Sequence, residues 1–127
     1  WHSKHRFIGG RILITDTMKS LVATYIQGTL INNGKIGLGG NSTYSTQTGL
    51  DVDLGTSVTL VATKSDVNVI EVHLVISGNA TGMTSSVIRE AGVFDSSGNL
   101  LFRHNFDGVG PVASNETLEF FFFLEVE

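Results

Sequence analysis

Val87-Ile-Arg-Glu-Ala-Gly-Val-Phe94, Asp95-Ser-Ser-Gly98 and Asn99-Leu-Leu-Phe-Arg-His-Asn-Phe106 are two apolar-rich segments joined by four turn residues. Gly98 can take the left-handed conformation that closes a hairpin, so the stretch predicts two paired antiparallel strands. The strand after it, Leu118 to Val126, places Leu118, Phe120, Phe122, Leu124 and Val126 in one inner row. Upstream, Val69 to Ile76 alternates with Ile70, Val72, Leu74 and Ile76 inward, while Glu71 and His73 share the other face. Ser57 to Thr63 alternates in the same way through Val58, Leu60 and Ala62. Short strands separated by turns at intervals of about eight to twelve residues predict an all-β fold, an antiparallel β-sandwich with one short N-terminal α-helix.

The helix reading rests on Met18, Leu21, Val22, Tyr25 and Ile26, which recur at helical spacing after the capping residues Thr15 and Asp16 and before Gly28. The expected organisation is an extended N-terminal arm at 1–10 and a single β-sandwich domain at 11–127, with the helix at about 16–27, packed on one end or edge. Asn32-Asn-Gly34 reads as a turn. Lys35-Ile-Gly-Leu-Gly39 reads as a short strand, and Gly40 to Thr48 reads as a mobile polar loop.

The chain has 127 residues, enough for one core and too few for two. Charged residues make up 16% against 41% apolar, so Ser, Thr, Asn and Gly must carry much of the surface, which points to a β-rich chain with large contact areas. The net charge of -4 conceals segregation: Lys4, Arg6, Arg11 and Lys19 against Asp16 leave the first twenty residues at +3. The last twenty hold Glu116, Glu119, Glu125 and Glu127 and no base. Such polarity suits head-to-tail contacts between copies. The absence of cysteine excludes a disulfide framework and a thiolate metal site. No apolar run has the length of a membrane span, and the first residues do not form a signal peptide. A start at Trp1 instead of Met suggests processing, truncation or a later numbering origin.

No catalytic pattern emerges. His73 and His104, with Glu71 or Glu90, are metal ligands only if their strands are neighbours, and each is better read as an ordinary cross-strand polar residue. His2 and His5 in the arm make at most a weak chelate. Gly37-Leu-Gly-Gly-Asn-Ser42 lacks both the following helix and the Lys-Ser/Thr of a phosphate loop. No nucleophile elbow is present. The sequence therefore assigns no catalytic residue, no metal and no cofactor, and reads as a non-enzyme. Arg89 and Glu90 face opposite sides of a strand, and the inward one is expected in a structural ion pair, Glu90 with Arg103 or Arg89 with a carboxylate. Sequons stand at Asn41, Asn79 and Asn115, each in an expected loop or turn.

Phe121 and Phe123 lie opposite the inner row of the last strand, so they are either covered within the chain or held against another subunit. Together with Trp1, Arg6, Phe7 and Arg11 of the arm they are the candidate inter-subunit contacts. Asn41 and Tyr44 mark a possible ligand loop. The basic arm precedes a negative domain, so a neighbouring subunit suits it better than nucleic acid.

Thr15-Asp-Thr-Met-Lys-Ser-Leu-Val-Ala23, Lys35-Ile-Gly-Leu-Gly-Gly-Asn-Ser-Thr-Tyr-Ser-Thr-Gln-Thr-Gly-Leu50 and Val87 to Phe106 together resemble the small β-sandwich structural proteins of tailed phages and archaeal tailed viruses. In that family a short helix leads to an "IGLGTG...T...T.L" segment, and an "IRE.GLFD..G.LLAR..F" hairpin precedes the final strand. The likeness spans roughly residues 11 to 126. It departs at Gly40-Asn41, and the family's "PPVTK" stretch is reduced to Gly108-Val-Gly-Pro-Val112. The resemblance implies a virion protein of tail fibre, baseplate or capsid decoration type, located in the extracellular particle after assembly in the host cytoplasm. Its expected partners are copies of itself and other virion proteins, with no nucleic acid and no membrane. The alternatives are a surface- or carbohydrate-binding module working through Tyr44, Asn41 and the polar loop, and a secreted filament subunit joined by N-terminal strand addition.

Overall fold

A computed structural model describes residues 6–127. Among these residues six strands form two three-stranded antiparallel sheets, preceded by one helix. The strands are β1 (Asn33–Gly37), β2 (Thr59–Asp66), β3 (Val69–Ser77), β4 (Ile88–Phe94), β5 (Leu100–Val109) and β6 (Thr117–Glu125). The first sheet has the order β1-β4-β5 and the second β2-β3-β6. The chain is an all-β sandwich with one short N-terminal helix, as the alternation predicts.

The core follows from the two central strands. On β3, Ile70, Val72, Leu74 and Ile76 have no exposed surface, and they pack against Ile36, Ile88, Ala91 and Val93 of the other sheet. Burying each large aliphatic side chain contributes roughly 1.5–3 kcal/mol, so this row is the main apolar stabilisation. Gly34, expected in a turn, lies inside β1, where a Cβ would strike the Leu74 side chain. The strand accordingly begins at Asn33, two residues before the expected start.

The helix, α1, runs from Asp16 to Tyr25 and continues as a π turn, Ile26–Leu30. Thr15 caps it, its hydroxyl accepting from the Met18 N–H at 3.2 Å. Only Ala23 is fully buried, whereas Met18, Leu21 and Tyr25, three of the five residues of the expected apolar stripe, are 53%, 67% and 57% exposed. The reason is polar. Lys64 Nζ on β2 donates to Ser20 Oγ at 2.5 Å, and Gln27 Nε2 donates to the Ala62 carbonyl at 2.9 Å. The helix thus seats its small and polar face on the β2 edge and supplies partners that the sheet edge lacks.

The hairpin closes as predicted. Asp95 Oδ1 accepts from the Ser97 and Asn99 N–H groups, and Gly98 takes φ +85°. Residues 6–15 carry no regular secondary structure and are exposed, so the arm extends to Thr15, five residues beyond its expected end. No helix among the described residues is long and apolar enough to cross a membrane.

Candidate functional site

A register shift between Ile88 and Glu90 lets both Ile88 and Ala91 reach the core, and it turns Glu90 to the outer face of the first sheet. There Glu90 has no exposed surface. Its Oε1 accepts from Arg103 Nε and the Asp51 N–H, both at 2.8 Å. Its Oε2 accepts from the Gly39 N–H at 2.6 Å and the Val52 N–H at 2.9 Å. Arg103, two residues along from the position opposite Glu90, spends its remaining donors on Asn41 O, Thr43 Oγ1, Gly39 O and Asp51 Oδ2. All five guanidinium N–H groups and both carboxylate oxygens are engaged.

This pair is a clasp. It holds residues 38–54 across the outer face of the first sheet, where Leu38 N–H donates to Val52 O and Leu54 N–H to Ile36 O. The segment expected to be a mobile loop, Gly40 to Thr48, is therefore tied down at Asn41 and Thr43 and anchored on either side at Gly39, Asp51 and Val52. Gly37 and Gly39 are required by proximity: a Cβ on Gly37 would meet Val52 O and Glu90, and one on Gly39 would meet Asp51 and Glu90. Burial pushes the Glu90 pKa up, but Arg103 and the three backbone donors outweigh it and hold the carboxyl below its ordinary value. The ion pair expected of Glu90 is thus the Arg103 one, and the glycine pattern that failed as a phosphate loop serves this carboxylate instead.

Tyr44 stands 57% exposed on the lip of a cavity of about 300 Å³, with Thr43, Gln47, Leu100, Phe102 and Arg103 around it. Gln47 Oε1 is buried without a hydrogen-bond partner, although its Nε2 donates to Asp51 Oδ1 at 3.1 Å. Asn41 joins the clasp through its backbone carbonyl. His73 and His104 lie in different sheets, and among the described residues no group of three metal-ligating side chains converges.

Phe121 and Phe123 lie on the outer face of the second sheet, 51% and 66% exposed. His73, opposite Phe121, stacks on its ring at 4.2 Å between centroids and contacts Glu119 at 3.2 Å. Val61, opposite His73 on β2, extends this patch and is 51% exposed. Of the arm contacts, Arg6, Phe7 and Arg11 are exposed, whereas Trp1 lies outside the described residues, as do His2 and His5. The sequence reading did not single out Ile8, Ile12 and Leu13, exposed by 98%, 90% and 93%. The run Ile12-Leu13-Ile14 was the available signal. Comparison with protein-family models, with curated proteins and with solved structures finds no match.

Proposed function

We propose that this protein is a non-catalytic structural subunit of a virus particle, in a tail, fibre, baseplate or capsid decoration, and that it acts by associating with copies of itself. One observation carries the self-association: among the described residues, seven exposed large apolar side chains lie between residues 8 and 25, while Val61, Phe121 and Phe123 form a second patch on the outer sheet face. Apolar surface concentrated in this way marks a contact waiting for its partner. The clasp supports the same reading, because its polar atoms are spent on holding a loop. The virion assignment rests on the sequence resemblance. Notably, Gly37, Gly39, Glu90, Gly92 and Arg103, which fall within the resembling segments, all belong to the clasp or the face it covers.

The test is a set of surface variants, Phe123→Asp, Leu21→Asp and Ile12→Asp, compared with the wild type by sedimentation and by thermal unfolding. Self-association predicts smaller assemblies with unchanged melting. Variants that assemble like the wild type overturn it.

A second reading is favoured by the Tyr44 cavity, where the exposed ring stands beside the polar lining residues Thr43, Ser45 and Gln47, a combination that suits a hydroxyl-bearing ligand such as a sugar. Retention on immobilised glycans, lost in Tyr44→Ala, would support that reading.

A further inference from the structure

The four edge strands of the sandwich are not equally open. The β2 edge carries the helix, with Gln27 on the Ala62 carbonyl. The β1 edge is paired with residues 52–54. On β5, the Arg103 carbonyl accepts from Thr43 Oγ1. Among the described residues β6 pairs with β3 alone. Its inner row stays only partly buried, and Phe120 and Phe122 form an aromatic seam with Phe102 and Phe106 of β5, at 5.1 Å for Phe106–Phe120 and 5.6 Å for Phe102–Phe122. One side of the sandwich is closed by α1, and among the described residues no element pairs with the β6 edge on the other.

We infer that the β6 edge accepts Arg11–Thr15 of a second copy as an added antiparallel strand. This deepens the self-association reading and rests on it. The segment matches the edge residue by residue. With Leu13 opposite Phe123, Arg11 stands opposite Glu125, Ile12 opposite Leu124 and Ile14 opposite Phe122. The two isoleucines then extend the inner seam, Leu13 covers an exposed ring, and the basic residue meets an acidic one. The donor belongs to another molecule. Within one chain Thr15 abuts the helix at Asp16, the helix is seated on β2, and β6 is two strand spacings away, roughly 10 Å across the sheet. Each copy therefore offers one donor and one acceptor on opposite sides, a head-to-tail arrangement that builds rings or filaments.

The experiment uses the full chain. Arg11→Glu and Glu125→Arg are each expected to raise the concentration at which oligomers form by about tenfold, through like charges opposed at the junction. Mixed together, the reversed arm of one meets the reversed edge of the other, and the native arm of the second meets the native edge of the first, so alternating assembly is expected to recover towards the wild-type concentration. Because the chain lacks cysteine, Leu13→Cys and Phe123→Cys chains mixed under oxidation should form one intermolecular disulfide, and Leu13→Cys with Val61→Cys should not. Single reversals that assemble normally, a mixture that fails to recover, or equal cross-linking at Val61 each overturn strand addition and leave self-association standing. A wild type that is monomeric throughout overturns both.

Discussion

Replacing Glu90 by Gln keeps the shape of the side chain and removes its charge, and the clasp geometry makes the cost calculable. Four donors converge on the carboxylate, two on each oxygen. Whichever way the amide is turned, its NH₂ faces two of them: Arg103 Nε and the Asp51 N–H, or the Gly39 and Val52 N–H groups. A buried donor left unpaired costs about 1–3 kcal/mol, so the substitution costs about 2–6 kcal/mol, a large part of the 5–15 kcal/mol typical of a domain. Urea unfolding followed by tryptophan-independent circular dichroism reads it directly. A loss near 4 kcal/mol moves the midpoint by about 2 M at an m-value of about 2 kcal/mol/M.

The pH dependence gives a second readout with a fixed sign. Folding lowers the Glu90 pKa below its ordinary value of 4.5, so the unfolded chain takes up this proton more readily than the folded one. The stabilisation is whole above the ordinary Glu range and is lost as pH falls through the lowered folded value. In Glu90→Gln that part of the acid limb should vanish. A midpoint shift below about 0.5 M, with the acid limb intact, would refute the claim that the carboxylate is saturated and holds the loop.

Gly39→Ala places a methyl group against Asp51 and Glu90, so residues 38–54 should lift from the sheet, seen as faster amide exchange at Asp51 and Val52 than at Val72. Leu74→Ala should cost about 2–5 kcal/mol in chemical unfolding, since it empties a site with no exposed surface. Gly98→Ala forces a side chain into a positive-φ turn and should cost about 1 kcal/mol, measurable as a lower melting temperature with assembly unchanged. Phe123→Asp, by contrast, should leave melting unchanged and weaken assembly.

The strands were legible because each has one wet and one dry face, so Ile70, Val72, Leu74 and Ile76 announce themselves by alternation. Asp95 and Gly98 announced the hairpin turn by the same local logic. Glu90 and Arg103 were readable as a pair because a charge in an apolar strand needs a partner close by. What the chain does with residues 38–54 was not readable, since a loop held by backbone N–H groups on one carboxylate has no periodicity. Gly37 and Gly39 look identical in sequence whether they cradle a phosphate or a glutamate. The register shift at Ile88–Glu90, which decides the face of Glu90, has no signature in residue type. The helix stripe was read correctly as amphipathic, but its orientation was decided by Lys64 and the Ala62 carbonyl, 44 and 35 residues in sequence from their partners Ser20 and Gln27.

The absolute mass of the 127-residue chain by light scattering after size exclusion, over a range of concentrations and at two salt levels, addresses self-association most directly. An oligomer whose mass grows with concentration, and falls as salt screens the contact between the basic arm and the acidic last strand, is the predicted result. A strict monomer at every concentration would contradict it.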